Sequence, residues 1–340
     1  MKRLLANFLL FFITLFISLA LAEAALRVIY PTPKKNQVSS MEYRHDWTFN
    51  SDGFRDEEFE PRLGTLKKKA VFLGDSFTAG MGVERPDSFA NMLSGRFSEN
   101  YETFNLGRIG TGTLAQEKIF EANLPRIRPE AAVLFFYWND VQDNLQEAAS
   151  GGRAQNSPAP RMERGQTRPF FGFLSFAKPL LRKTLLYQWA GANYRILLAK
   201  LGIAKLDFQI EFDFFKIRPT PEVEKAWNVT EKALVEFAEA SRAADCRLVV
   251  VYVPKREQFV GWENVLKFYK ADPREYDRFN VNKRLGEICA LLGVPYVDVS
   301  QELAALPETG KMYYKFDTHF TKTGNRLFAE RVMKKLDGIL

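Results

Sequence analysis

From Leu4 to Ala22 the chain runs without a charge, as Leu, Phe and Ile broken only by small or polar uncharged residues. A helix of about nineteen residues spans roughly 28 Å, close to the hydrocarbon core of a bilayer. Lys2 and Arg3 ahead of it favour a cytoplasmic amino terminus with the remainder exported. A cleaved signal peptide is the alternative, because Ala20-Leu21-Ala22 resembles a cleavage site. The apolar run is long for a signal, so an uncleaved anchor is the preferred reading. No second stretch of this length and apolarity follows.

Beyond the anchor the apolar runs shorten and alternate between two periods. Ala70 to Leu73, Thr103 to Leu106, Ala131 to Trp138, Leu248 to Val253 and Pro295 to Val299 read as buried strands. Helices are predicted over Pro86 to Phe97, near Leu114 to Leu124, and in the segment ending Leu285 to Leu292, which Gly293 stops. Another opens at Thr220, its cap, with Pro221 in the first position and Val223, Trp227, Leu234 and Phe237 on its apolar face. Strands alternating with helices imply an α/β fold with a doubly wound, mainly parallel sheet. The expected division is residues 1–28 as anchor or signal, 29–66 as juxtamembrane linker and packing segment, and 67–340 as the main domain.

The linker part, Tyr30 to Ser40, carries Pro31, Pro33, Lys34 and Lys35. Tyr43, Trp47, Phe49 and Phe54 then mark a segment that packs on the domain, turned by Asn50 to Gly53, and His45 reads as a surface or packing histidine. An insertion at about 145–218 interrupts the main domain. It holds a Gly/Pro/Ser-rich loop at Gly151 to Pro160 and a stretch of aromatics and cations from Arg168 to Lys183. A small helical cap burying those aromatics is the simplest reading; a membrane-surface segment or a substrate lid are the others.

Composition narrows the function little. The net charge of +7 suits an anionic membrane or polymer, but no nucleic-acid motif accompanies it, so nucleic acid is not an expected partner. Cys246 and Cys289 are the only cysteines and could be paired or free.

Candidate chemistry sits at the strand ends. The first strand stops at Gly74, which puts Ser76 just past its carboxyl end, where open α/β sheets place ligands. Gly107, Gly110 and Gly112 follow the second strand, where backbone N–H groups can approach a ligand. Asn139 follows the third and can aim an amide at the same point. Near the carboxyl terminus stands His319, the only histidine besides His45, with Asp317 two residues before it. An extended segment there would put both side chains on one face.

At these residues the chain resembles the SGNH/GDSL hydrolases, particularly membrane-anchored bacterial members. Gly74-Asp75-Ser76 is similar to the nucleophile block, Asn105-x-Gly107-x-x-Gly110 to the second, Asn139-Asp140 to the third, and His319 with Gly324 to the last. The resemblance implies a flavodoxin-like three-layer fold, with Ser76 as nucleophile, His319 as general base and then acid, and Asp317 as the orienting carboxylate. The N–H groups of Ser76 and Gly110 and the Asn139 amide would form the oxyanion hole. Asp75, Tyr137 and Trp138 are the expected substrate-binding residues, and neither metal nor cofactor is required. Two departures stand out. Tyr137 replaces the glycine usual in the third block, and the last block is Asp-x-His rather than Asp-x-x-His, a spacing similar to SGNH-like domains of alginate O-acetylation proteins.

Three functions follow as expectations. The first is a serine esterase at the bacterial inner (cytoplasmic) membrane, catalytic domain in the periplasm, removing short acyl groups from an envelope carbohydrate. The second is an O-acetyltransferase served by a membrane acyl-transfer partner. The third is a non-catalytic glycan-binding or scaffold protein. A lipid ester substrate is also compatible with the Phe-rich insertion.

Overall fold

The computed structural model describes residues 2–29, 36–40, 42–150, 184–187, 194, 211–315 and 317–340. The chain forms two compact units, residues 1–34 with 161–208, and residues 35–160 with 209–340. In the first unit, helix α1 (Lys2–Ile29) contains a stretch, Ala6–Ile29, long and apolar enough to cross a membrane, with none of it buried in the protein. Glu23 on that helix accepts the N–H groups of Leu185 and Leu186 at 3.2 and 2.9 Å.

The second unit opens with a two-stranded antiparallel hairpin, β1 (Gln37–Ser39) and β2 (Arg44–Asp46), in which Val38 lies opposite His45. Residues 37–40, expected as linker, are therefore structured; three-residue strands held by a partner strand leave little periodicity to read. A short helix, α2 (Glu60–Leu63), leads into the main sheet.

Among the described residues that sheet has five strands, all parallel: β3 (Lys68–Gly74), β4 (Tyr101–Asn105), β5 (Ala131–Tyr137), β6 (Arg247–Val253) and β7 (Tyr296–Val297), in the order β4-β3-β5-β6-β7. All seven residues of β5 are buried, as a central strand covered on both faces requires. The chain first steps from β3 outward to β4, then returns past β3 to β5. Right-handed crossovers then put the helix after β3 on one face and those after β4 and β5 on the other.

The packing agrees. Helix α3 (Phe89–Phe97) packs against the last helix, α10 (Lys322–Leu336), whereas α4 (Thr113–Ile127), α5 (Asp140–Ala149) and α6 (Pro221–Ala243) pack against one another. Between β6 and β7 run α7 (Trp262–Phe268) and α8 (Asn280–Leu292), and α9 (Ser300–Ala304) follows β7. Cap chemistry sets several of these ends. Thr220 Oγ1 accepts the Val223 N–H at 3.3 Å, Ser88 Oγ that of Asn91 at 3.2 Å, and Gly293 ends α8 in the left-handed conformation. Cys246 and Cys289 are free and buried.

The reversal of direction between β3 and β5 is the switch point of the sheet, the crevice where this topology binds ligands. Ser76 leaves the end of β3 and Asn139 the end of β5, so both flank it.

Candidate active site

The serine is presented by a turn that requires glycine at position 74. At Gly74 a Cβ would run into Thr78 Oγ1 and stand 2.8 Å from the Phe135 carbonyl. The chain then folds back on itself, with the Phe77 N–H on Asp75 Oδ1 at 2.9 Å and the Met81 N–H on the Ser76 carbonyl at 2.9 Å. Within residues 71–80 Ser76 alone is not buried. Asp75 is 1% exposed, so it braces the turn and is not placed to touch a substrate from solvent. Burial raises its carboxyl to about 6, against the pull of the Phe77 N–H and the His319 ring.

Three side chains meet here in series. Ser76 Oγ lies 2.8 Å from His319 Nε2, and His319 Nδ1 lies 2.5 Å from Asp317 Oδ1. The carboxylate needs a proton on Nδ1, which leaves Nε2 bare to accept the serine O–H. The segment is not an extended strand. It is a loop closed by the antiparallel bridge Tyr313–Phe320, and Asp317 Oδ1 also accepts the His319 backbone N–H at 2.9 Å. That Asx-type bond lets a spacing of two close around one carboxylate. Burial opposes the charge on Asp317, but the His319 ring and N–H, helped by a hydroxyl from Tyr43, outweigh it and hold the carboxyl below its ordinary value.

The loop after β4 is fastened to the serine turn. Asn105 Nδ2 donates to the Thr78 carbonyl at 2.9 Å, and the Arg108 N–H to that of Gly74 at 2.9 Å. Gly110 is exposed near the tip of this loop. The N–H groups of Ser76 and Gly110 make no hydrogen bond to any described residue. Asn139 Nδ2 donates to Asp143 Oδ2 at 3.1 Å, and the same side chain interacts with the Asp75 carboxylate, which fixes the amide beside the serine turn. Beneath it Asp140 is fully buried. Desolvation first, and then the neighbouring Asp75, Asp143 and Glu147 carboxylates, raise its pKa and favour the protonated form.

Tyr137 and Trp138 are each 4% exposed and belong to the packing rather than to an open face. The Tyr137 ring lies 4.4 Å from that of Phe77, and the Lys255 ammonium sits 4.1 Å from the Trp138 ring centroid. Tyr137 ends a strand whose every residue is enclosed, and Trp138, just past it, packs on Phe214 and Phe215. Phe77 also contacts the rings of His319 and Phe320, at 4.9 and 5.1 Å, so aromatic rings fill the space beneath the Ser76–His319 pair.

The residues that sequence reasoning missed come from ahead of the sheet. Tyr43 OH donates to Asp317 Oδ2 at 2.9 Å, and Glu42 Oε2 accepts the Asp317 N–H at 2.8 Å. His45, 4% exposed, accepts the Gly82 N–H on Nε2 at 3.0 Å. Arg55 donates to the carbonyls of Ala79, Gly80 and Val83, just past the serine turn. The aromatic density of Tyr43 to Phe54 was the available signal; it reports packing without saying against what.

A hydroxyl activated through an imidazole at the mouth of a parallel sheet is what attack on an acyl carbon demands, and it defines a serine hydrolase acting on esters. The chain belongs to the GDSL-like lipase/acylhydrolase family, whose model matches residues 72–327. Curated proteins provide no match to the sequence. Solved structures similar to it include TesA, 12% identical over 80% of this chain and 100% of that one, with a TM-score of 0.45. A lipase/acylhydrolase from Enterococcus faecalis is 13% identical over 80% and 97%, with a TM-score of 0.42. The acetyl xylan esterase AlAXEase is 12% identical over 78% and 98%, with a TM-score of 0.40.

Proposed function

We propose that the protein is a membrane-anchored, extracytoplasmic serine esterase that removes short acyl groups, acetyl foremost, from a cell-envelope carbohydrate. The observation that carries the catalytic part is the hydrogen-bonded series Ser76–His319–Asp317 at the switch point. Ser76 Oγ attacks the ester carbonyl while His319 Nε2 takes its proton. The resulting oxyanion lies against the N–H groups of Ser76 and Gly110 and the Asn139 amide. His319 then protonates the departing sugar oxygen, leaving an acyl-Ser76, and water activated by the same imidazole releases the acid. Asp317 stays ionised and keeps the ring in its working tautomer.

The location rests on Lys2, Arg3 and the apolar run of α1, which favour an exported main unit close to a membrane surface where envelope polymers are modified. The acyl length rests on the aromatic filling around Phe77, since a long chain would have to displace those rings. The Phe170, Phe171, Phe173 and Phe176 cluster, which could offer a lipid-binding lid, lies outside the described residues.

The deciding experiment compares acetyl and octanoyl aryl esters on the detergent-solubilised protein, with and without oligosaccharide acceptors, beside Ser76→Ala. Acetyl turnover that Ser76→Ala abolishes by several orders of magnitude is expected. An octanoyl kcat/KM tenfold above acetyl, about 1.4 kcal/mol of transition-state preference, would replace this reading with a lipase-like one. Acetyl appearing on the oligosaccharide instead of in water would make the protein a transferase.

A further inference from the structure

We propose that Tyr43 is a positioning residue for the Ser76–His319–Asp317 relay, supplied by the hairpin that precedes the part of the chain matched by the family; the inference rests on the esterase reading of that relay. Asp317 has two carboxylate oxygens to satisfy. Oδ1 is occupied by the His319 ring and backbone N–H, and Oδ2 accepts the Tyr43 hydroxyl at 2.9 Å. Burial and the Asp317 charge push the Tyr43 hydroxyl well above its ordinary pKa, so it remains a neutral donor throughout the working range. A carboxylate held at one oxygen can swing about its Cβ–Cγ bond; held at both, its plane is fixed, and with it the imidazole that faces Ser76.

The backbone beneath Asp317 is held from the same place. Glu42 accepts the Lys315 N–H on Oε1 at 2.6 Å and the Asp317 N–H on Oε2 at 2.8 Å. Consecutive residues of one tight turn therefore hold the side chain and the main chain of Asp317 together. The turn is itself set. Ser40 donates its N–H to the Tyr43 carbonyl at 2.9 Å, and its hydroxyl accepts the N–H groups of Glu42 and Tyr43 at 3.1 and 3.3 Å.

Two residues further along, in β2, His45 holds the other side of the relay. Its Nε2 accepts the Gly82 N–H, while the Gly82 carbonyl accepts the Tyr314 hydroxyl at 2.7 Å. A Cβ at Gly82 would stand 2.9 Å from the Tyr314 ring and 3.6 Å from His319 Cβ, so this backbone is the wall behind the imidazole. The rings of Tyr43 and Tyr314 meet at 4.9 Å and those of Tyr43 and His45 at 5.4 Å, which joins the two contacts into one frame.

The test uses the full chain in detergent and the substitution Tyr43→Phe, which removes one hydroxyl and keeps the ring. Four quantities are compared: kcat and KM on an acetyl aryl ester, the rate of Ser76 modification by a fluorophosphonate, the thermal midpoint, and the downfield proton resonance of His319 Nδ1–H. The expected result is a fall of about tenfold in kcat, the size of one hydrogen bond to a charged group, with KM nearly unchanged. Fluorophosphonate modification slows in parallel, the midpoint stays put, and the Nδ1–H resonance moves upfield or is lost to exchange.

Unchanged kcat with an unmoved resonance overturns the proposal. So does a fall in kcat that comes with a lowered midpoint and an unmoved resonance, because Tyr43 would then serve only the fold. If wild-type Ser76 neither reacts with the fluorophosphonate nor turns over ester, it is the esterase reading that fails, and the resonance still decides whether Tyr43 holds the Asp317–His319 pair. Glu42→Gln, which leaves one acceptor oxygen for two backbone donors, covers the case in which Tyr43→Phe does not fold. It should move the same quantities in the same direction by less, and no movement in any of them overturns the proposal.

Discussion

Arg55→Met should remove about 3–5 kcal/mol of stability, because buried carbonyls left without a donor cost about 1–3 kcal/mol each. The side chain is 3% exposed, and its guanidinium donates to four carbonyls: Ala79 at 3.2 Å, Gly80 at 2.6 Å, Val83 at 2.8 Å and Asp46 at 3.1 Å. It also lies 4.4 Å from the Trp47 ring centroid. Desolvation pulls its pKa down to about 10. A depression of that size represents roughly 3 kcal/mol working against the buried cation. Four charge-assisted bonds at about 1.5–3 kcal/mol each exceed that, so the arginine stabilises despite its burial. Methionine matches the length but leaves four carbonyls without their donor. Those at Ala79, Gly80 and Val83 belong to the loop that backs His319, so turnover should fall as well. Urea unfolding of the full chain in detergent, followed by tryptophan fluorescence, measures the first effect, and acetyl ester hydrolysis the second. Arg55→Lys, with one ammonium for four acceptors, should fall between. A loss below about 1 kcal/mol, within the range of ordinary substitutions, together with unaltered turnover, would show that water replaces the guanidinium and that it is not what holds the loop.

Two further outcomes follow from the same geometry. Asn139→Ala should lower kcat by about 10²–10³, as for removal of one oxyanion donor, with little change in KM; retained turnover would remove Asn139 from the site. Burial, with the Arg55 cation beside it and the Asp46 carbonyl pulling the other way, holds the His45 imidazole below its ordinary value. The unfolded chain therefore binds the extra proton first, and the stability His45 contributes, present above about pH 6.5, is lost as pH falls towards its folded value. Asp75, raised to about 6, titrates nearby with the opposite sign. The measurement is accordingly the difference in pH slope between the wild type and His45→Gln, and identical slopes would disprove the claim.

The sheet is legible in the sequence because a parallel strand buried on both faces has to be apolar throughout. Ala131–Tyr137 and Leu248–Val253 announce themselves for that reason. Helix ends are legible where a cap does local work, as at Thr220 and Gly293. The helix Lys322–Leu336 is not predicted from the sequence, although Thr321 caps it through the Gly324 N–H, because charged residues interrupt its apolar positions. Ser76 is legible as chemistry by its type and its place at a strand end, and His319 and Asp317 by their types and their spacing. Tyr137 and Trp138 show the limit of that logic. Their position beside Asn139 suggests a substrate contact, whereas Tyr137 ends β5 and Trp138 follows it, and both rings are enclosed in the packing.

The segment ahead of the sheet was opaque for a different physical reason. Its residues act through bonds to positions far along the chain, Tyr43 to Asp317 and His45 to Gly82, and no local periodicity records such a partner. The three-residue strands of the hairpin carry almost no pattern of their own, and the prolines just before them read as linker. Even Arg55, whose partner carbonyl nearest in sequence is Asp46, directs its remaining bonds to residues beyond position 78. The reacting groups can therefore be placed by short motifs, because each sits in a compact turn or loop whose residue types are dictated by the chemistry. The groups that hold them still are free to come from anywhere the fold can reach. In this chain they come from the stretch between the apolar helix and the sheet, which ties the geometry of Asp317 to residues outside the family's own blocks. A catalytic unit begun at Lys67 would keep every motif residue and still lack Tyr43, Glu42, His45 and Arg55.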